Sequence, residues 1–532
     1  MTAKFILHRA EKPSMKPIDL WITAIAVLLG LAILLLPTET VILFLSDDAY
    51  YYMKVAMNNV AGLGLTFDGI NPTNGWHPLW MLLVHPIYLL QLDPTVSLRV
   101  MLLFQLGLYL LSFKVITVLC QRYYPTAGVL AALATLLFFA PITVLGLNGL
   151  ESPLLVMVEL VLIYVLFQFG ETPDKTKLRL LLGLLFGLLF LSRLDSAFMI
   201  LTLSAAILIF ERRRQLDIVK IISNWWLPAT ISICVVAPYL IWNVVNHDHI
   251  TPISGVLKNT FPYPHFRIGF LPRVPHFVIA IFCTAIWFAY RLYTTRHQNL
   301  LATRYGLLLA MSLGCLVHLA WSVIFMAWGT FQWHFVAQIP LIVIAVADLV
   351  SVAPQLKRLT AAFAVLLALG MNFGSLGLRL GHHQERLSAA NWMNLAVKDG
   401  SRIGLRDAGV FGYFSDHQVV NLDGLINSYE FYDSINRGEI AEFLANSQVR
   451  YLADAYTPCD YKTHNINIVA HSSLDPRLVV GEIRIMSKSN EIASFKTEKL
   501  FESMRLGETC FVIWQGVGTT YPLQSAASRL AK

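Results

Sequence analysis

Charge is what this chain has least of. Only 14% of its 532 residues are Asp, Glu, Lys or Arg, against 56% hydrophobic, and the mean hydropathy is +0.59. That balance excludes an ordinary soluble enzyme and places the chain among polytopic membrane proteins. A Walker phosphate loop, a Rossmann glycine fingerprint, a zinc-protease histidine pair and a serine-nucleophile elbow are also missing in any convincing context. ATP, NAD and acyl-enzyme chemistries are therefore without support. The six cysteines show no metal-ligand spacing. Cys120, Cys234, Cys283 and Cys315 lie in or beside apolar runs and read as small buried hydrophobes. Cys459 and Cys510 fall in a polar C-terminal region, where an oxidising compartment would permit a disulfide. His247, His249 and His265 could form a metal site, but loop histidines without tight spacing are more often surface residues; no metal is expected, and no cofactor.

What is present is a succession of apolar runs. Residues 20–45 are apolar for longer than a signal-peptide core and lack a small-residue cleavage site, which reads as a retained first span. Lys4, Arg9, Lys12 and Lys16 before it belong in the cytoplasm. Further spans fit near 97–119, 126–145, 152–169, 179–193, 197–211, 222–243, 274–291, 305–327, 334–352 and 359–378. If 78–92 is a re-entrant or interfacial helix, every strongly basic loop falls on one side: Arg122; Lys175, Lys177 and Arg179; Arg212, Arg213 and Arg214; Arg291, Arg296 and Arg304; Lys357 and Arg358. The reading is about eleven transmembrane helices in a cell inner (plasma) membrane, amino terminus cytoplasmic and carboxyl terminus outside. The net charge of +7 then reflects loops facing anionic membrane lipids, with no reason to invoke nucleic acid.

After about residue 380 the long apolar runs stop. Residues 381–532 read as an extracytoplasmic α/β domain of ordinary size. The expected order is an amphipathic helix over 384–399, strands at 402–405 and 419–422, a helix near 434–446, and strands at 449–453 and 511–514.

The unusual polar residues collect on the outer side. Asp47 and Asp48 directly follow the first apolar run, and a charge beside the hydrocarbon edge is costly unless it is hydrated, paired or bound. Capping of the following helix by Ser46 or Asp47 is the structural alternative. The first external loop, 46–96, adds Asn74 and His77, in a turn-rich aromatic stretch that suits a loop leading into an interfacial helix. Glu151 opens the next outer span, where helix-start acids are favourable by themselves. Arg193 and Asp195 either neutralise one another or leave Arg193 to bind phosphate, to which a guanidinium is well matched. Lys258 and His334 lie in later outer loops. Carboxylates can act as general bases and cations can stabilise a departing phosphate, so one membrane face supplies the parts of an enzyme cavity.

The segments Asp47-Asp48-Ala49-Tyr50-Tyr51-Tyr52, Gly69-Ile70-Asn71-Pro72-Thr73-Asn74-Gly75-Trp76-His77-Pro78-Leu79-Trp80 and Gly149-Leu150-Glu151-Ser152-Pro153 resemble those of membrane glycosyltransferases of the type C fold. Asp407-Ala408-Gly409-Val410-Phe411-Gly412-Tyr413 and Val420-Asn421-Leu422-Asp423-Gly424-Leu425-Ile426-Asn427 resemble the C-terminal domain of bacterial members. The resemblance implies a polyprenyl-phosphate sugar donor and an extracytoplasmic glycan, lipid or protein acceptor. It also implies a catalytic aspartate in the first external loop, with Asp47 slightly favoured over Asp48, Glu151 as the second acid, and Arg193 or Lys258 at the lipid phosphate. Tyr50, Asn74, His77, Asp195 and His334 are the candidate substrate contacts. A single displacement would invert the anomeric configuration. A lipid or solute transporter or flippase is the alternative class. Such proteins place charges near mid-membrane and show internal repeats, whereas these charges gather at outer span ends.

Overall fold

A computed structural model of the chain describes residues 16–125, 146–171, 176–213, 217–269, 271, 274–328, 330–356, 382–398, 400–437 and 439–456, with C-terminal strands over 466–471, 479–485, 491–502 and 505–515. The expected spans at 126–145 and 359–378, Lys175, Arg214, Lys357, Arg358 and the Cys459–Cys510 pairing lie outside the described residues.

The first helix, α1 (Lys16–Leu35), stops short of the expected residue 45. Pro37, extended at φ −56° and ψ 152°, separates it from the short α2 (Thr38–Val41), because proline cannot continue the helical ladder. A 3-10 turn then leads into α3 (Asp47–Val60). The next helix, α4 (Pro78–Tyr88), has 11 residues and measures about 16 Å, too short for a hydrocarbon core of about 30 Å. Leu82 on it is 67% exposed, with Leu89 and Leu90 just beyond at 60% and 62%, as suits an element lying in the membrane interface.

The bundle comprises α5 (Pro94–Tyr123), α6 (Ser152–Glu171), α7 (Thr176–Ser192), α8 (Ala197–Arg213), α9 (Ile218–His247), the short α10 (Ile253–Lys258), α11 (Pro275–Thr294), α12 (Asn299–Phe325) and α13 (Gln338–Val352). Among the described residues six helices are long and apolar enough to cross a membrane. This is a multi-pass membrane protein. At one end Glu171 accepts from Arg122 at 2.5 Å and Arg304 at 2.6 Å, while Arg291 pairs with Asp348 at 2.7 Å. Two of the basic loops grouped by the charge rule, those of Arg122 and of Arg291 and Arg304, thus meet at that end. Since α6 runs away from the opposite end and α7 returns to it, Ser152 and Ser192 both sit at that opposite end, with the start of α3.

Close helix approach is visible between α7 and α9. A Cβ added to Gly183 would fall 2.5 Å from the Pro228 carbonyl oxygen, and one at Gly187 would fall 2.7 Å from Val235. Two small residues four apart give this contact its short separation.

Beyond the bundle, α14 (His382–Ala396) precedes β1 (Arg402–Leu405), α15 (Gly409–Phe414) and β2 (Val419–Asn421). The expected helix near 434–446 is two helices, α16 (Tyr429–Arg437) and α17 (Ile440–Asn446). Strands β3 (Val449–Tyr456), β4 (Ile466–His471), β5 (Val479–Ile485), β6 (Glu491–Glu502) and β7 (Arg505–Gln515) follow. The five-stranded sheet has the order β2-β1-β3-β7-β6, and β4 pairs with β5 separately. Strands β1, β2 and β3 are parallel, with Leu405 opposite Asn421 and Ala453, whereas β7 runs antiparallel to β3 and β6. The carboxyl ends of β1 and β2 therefore open on the same side, where ligands of parallel sheets gather. They are followed by Asp407 and Asp423.

Replacing Gly183 by Val is expected to force α7 and α9 apart at a cost of about 1–3 kcal/mol. Thermal unfolding of the detergent-solubilised protein measures it, and an unchanged midpoint would contradict the contact.

Candidate functional site

The adjacent aspartates have different surroundings for a geometric reason. They occupy the first turn of α3, and consecutive helical residues point about 100° apart. Asp47 turns towards the C-terminal region, where its Oδ2 accepts from the Gly409 N–H at 2.9 Å and its Oδ1 from the Val410 N–H at 3.0 Å. It therefore caps α15 from 362 residues away, supplying the negative charge that a helix start favours. A Cβ on Gly409 would fall 2.1 Å from the Asp47 carbonyl oxygen, so only glycine permits this approach. Burial raises the Asp47 carboxyl to about 7; Arg386 and the two N–H donors oppose the rise, and Asp407 adds to it. Ser46 makes no cap to α3; its hydroxyl donates to the Asn148 carbonyl at 3.1 Å.

Asp48 turns instead into a cleft. The cleft is also lined by Tyr51, Tyr52, Gly75, Trp76, His77, Leu150, Glu151, Arg193, Ser254, Lys258, Trp333, His334 and Leu425. The Asp48 carboxylate has no hydrogen-bond partner among the described residues. Burial pushes it up to about 6; the Lys258 charge draws it down, and Asp423, Asp407 and Glu151 raise it. Being a carboxylate with spare acceptor capacity, it is suited to take a proton from a bound hydroxyl.

Opposite lies a filled ionic network. The Arg193 Nη1 donates to Glu151 Oε1, while its Nε and Nη2 donate to the two Asp195 oxygens at 3.1 and 2.7 Å. Tyr52 donates to Glu151 Oε2 at 3.2 Å and accepts from the His77 N–H at 3.2 Å. His318 Nε2 lies 3.7 Å from Asp195. Arg193 is 3% exposed and Glu151 2%, so removing the Arg193 charge would leave the buried Glu151 carboxylate without its ion pair. Both sequence-level alternatives for Arg193 meet here: it neutralises Asp195, and the same contacts leave its fork little capacity for a phosphate. Lys258, at the end of α10, has no side-chain hydrogen-bond partner among the described residues. It is the cleft cation with donors to spare.

Other candidates separate as clearly. Tyr50 does not reach the cleft: its hydroxyl donates to the Ile42 carbonyl at 3.3 Å and its ring packs on Tyr413 and His383. Asn74 is tied to Asn243 at 3.0 Å and to the Ile253 N–H at 2.9 Å, which fixes the first loop against α9 and α10. His77 lines the cleft, its ring held towards the neutral form by burial, which outweighs the nearby Glu151. His334 lines it too, with Nδ1 accepting from the Phe331 N–H at 2.9 Å. His249 stacks on Tyr429 at 3.9 Å. Among the described residues no His, Cys, Asp or Glu group is arranged to hold a metal.

Sequence reading did not single out Tyr51, Asp423 or Leu425. Tyr51 donates to Asp423 Oδ2 at 2.9 Å, and Asn421 donates to the Tyr51 hydroxyl at 3.3 Å. A Cβ on Gly75 would fall 1.9 Å from the Leu425 carbonyl oxygen, so the loop after β2 forms one wall of the cleft. Glu159, two turns along α6 from Glu151, was also missed; it is fully buried with neither oxygen partnered among the described residues.

Known proteins share this architecture. Residues 88–242 match the family profile described as dolichyl-phosphate-mannose-protein mannosyltransferase, and residues 377–505 match a domain of unknown function. No curated protein matches by sequence. The crystal structure of ArnT from Cupriavidus metallidurans bound to undecaprenyl phosphate superposes with a TM-score of 0.55 at 14% identity, covering 96% of this chain and 100% of that one. The apo ArnT gives 0.53 at 11%, covering 94% and 98%. The Archaeoglobus fulgidus oligosaccharyltransferase in complex with zinc and sulfate gives 0.50 at 14%, covering 83% and 68%. The chain has the type C glycosyltransferase fold. In this type C protein the first loop, the bundle end and the C-terminal region converge on one cleft.

Asp47→Ala orphans the buried Gly409 and Val410 donors, at about 1–3 kcal/mol each. The expected result is a lower unfolding temperature and faster proteolysis of the region after residue 382; unchanged values for both would contradict the cap.

Proposed function

We propose that this membrane protein is a glycosyltransferase that moves a sugar from a polyprenyl-phosphate donor to an extracytoplasmic glycan, lipid or protein acceptor by one inverting displacement. The observation that carries the reading is the unpartnered Asp48 carboxylate in a cleft that also holds Lys258. A structural neighbour bound to undecaprenyl phosphate supports the donor class.

Asp48 is the base. It takes the proton of the acceptor hydroxyl as the acceptor oxygen bonds to the anomeric carbon and the bond to the phosphate oxygen breaks. Lys258 offsets the charge that grows on the departing polyprenyl phosphate. Glu151, Arg193 and Asp195 act as a positioning wall, since their charges are already satisfied by one another. Asp47 holds the C-terminal region over the cleft. A single displacement gives inversion, and a product with net retention would contradict the scheme.

The topology follows the charge pattern. The end carrying Arg122, Arg291 and Arg304 faces the cytoplasm, and the cleft faces outward in the plasma (inner) membrane. Residues 1–380 form the transferase region, with about eleven spans and an interfacial α4; residues 381–532 form an extracytoplasmic α/β domain.

Asp48→Asn is expected to lower the rate of transfer by about 10²–10⁴-fold with expression and unfolding temperature retained. Lys258→Met is expected to raise the donor KM and lower kcat. Radiolabelled-sugar transfer in proteoliposomes measures both, and normal transfer by Asp48→Asn would sink the assignment.

A further inference from the structure

Four apolar side chains stand exposed on one loop, and the transfer reaction uses none of them. Residues 259–268 lead from α10 towards α11, and on them Phe261 (59% exposed), Tyr263, Phe266 (66%) and Ile268 turn their side chains outward. A protein surface seldom gathers so much apolar area in one short stretch unless something covers it. Apart from Arg267 the stretch carries no full charge, and no Asp or Glu occurs from residue 249 to residue 347.

The backbone fixes where this loop lies. Helix α12 has 27 residues and is about 40 Å long, more than a hydrocarbon core of about 30 Å. Its Arg304 pairs with Glu171 at one end of the bundle, so its last turn reaches the membrane interface at the opposite, cleft end. The final carbonyls of a helix have no partner within it. Here the Thr260 N–H donates to the Phe325 carbonyl at 2.8 Å, those of His265 and Phe266 to Ile324 at 2.6 and 3.2 Å, and that of Arg267 to Val323 at 2.7 Å. The Arg267 side chain donates to the Ala327 carbonyl, and Pro262 and Pro264 have no N–H to satisfy. The loop thus makes few demands on water, while its irregular backbone keeps it out of the hydrocarbon centre.

The exposed rings continue the outer face of a spanning helix. Leu313, Val317, Trp321 and Phe325 recur every four residues along α12, which places them on one face, and Leu313 and Val317 are exposed. Phe261 stacks on Trp321 with ring centroids 5.3 Å apart and planes at 27°, and meets Phe325 edge-on at the same distance. An exposed apolar face on a membrane-spanning helix lies against acyl chains, and aromatic rings concentrate where those chains give way to headgroups.

We propose that residues 259–268 form an interfacial anchor, which inserts Phe261, Tyr263, Phe266 and Ile268 among the headgroups and upper acyl chains of phospholipids at the cleft end of the bundle. The anchor begins directly after Lys258, whose carbonyl accepts from the Ala327 N–H at 3.0 Å. It therefore also fixes how deep the Lys258 end of the cleft sits in the bilayer. The inference needs only a membrane around the bundle and stands independently of the reaction.

The test uses the full-length protein in phosphatidylethanolamine and phosphatidylglycerol nanodiscs. The photoreactive residue p-benzoylphenylalanine replaces Phe266 and, in separate variants, the exposed Ile286 midway along α11 and the exposed Leu395 on α14. Irradiation is expected to give phospholipid adducts at Phe266 and Ile286 and none at Leu395, with the Phe266 adduct on the glycerol and upper acyl carbons and the Ile286 adduct deeper. Hydroxyl-radical footprinting of the unsubstituted protein in the same nanodiscs covers the case of a variant that fails to fold: Phe261, Tyr263 and Phe266 are expected to be protected like Ile286, while Leu395 is oxidised. A folded Phe266 variant that gives no lipid adduct, that labels lipid no more than the Leu395 variant does, or that cross-links to a second copy of the chain overturns the anchor. Oxidation of the three aromatic residues ahead of Leu395 overturns it as well.

Discussion

The contact on which the site depends is the capping of α15 by Asp47. One carboxylate satisfies two backbone donors of a helix that begins 362 residues later, and it does so at the position where a parallel-sheet turn would ordinarily hold an anionic ligand. The first loop and the C-terminal region are thereby registered against each other. Leu425 then reaches the cleft wall beside Gly75, and Asp423 reaches Tyr51. The cost of burying Asp47 is visible in a carboxyl raised to about 7, and its docking contacts offset part of that cost.

The neighbouring aspartate is left free by the same geometry. Helical rotation of about 100° per residue sends Asp48 into the cleft while Asp47 faces away. Glu151 and Asp195 occupy the Arg193 guanidinium with three hydrogen bonds. Lys258 also lines the cleft, with no side-chain hydrogen-bond partner among the described residues. A division thus appears between charges used to hold the cleft open in a fixed shape and charges kept available inside it.

Much of the bundle was legible because membrane helices announce themselves by length and apolarity: the expected 152–169 and 274–291 correspond to Ser152–Glu171 and Pro275–Thr294. The reading of 78–92 as a re-entrant or interfacial helix rested on which loops hold arginine, and the helix there, Pro78–Tyr88, is too short to span. The early end of the first helix was hidden because Pro37 sits inside an unbroken apolar run. At the site, the cost of burying charge singled out Asp48, Glu151, Arg193 and Lys258, which line one cleft, and could not allot their roles. The segment 47–52 alternates between partners: Asp47, Tyr50 and Tyr51 meet residues after 380, whereas Asp48 and Tyr52 face the cleft and Glu151. Those partners lie from 99 to 372 residues away, and spacing along one chain carries no trace of them. Asp47, the aspartate slightly favoured as the base, accepts from two backbone N–H groups, while Asp48 has no hydrogen-bond partner among the described residues.

The most direct measurement is the pH dependence of single-turnover sugar transfer in wild type and in Asp47→Asn. A carboxyl raised to about 6 by burial is protonated and inactive as a base below that pH, so the rate should climb through about 6 and level off above it. Asp47→Asn should keep that limb even where its overall stability falls. A limb that disappears in Asp47→Asn, or a wild-type rate that is flat between pH 5 and 7 when chemistry is rate-limiting, would contradict the assignment of Asp48 as the base.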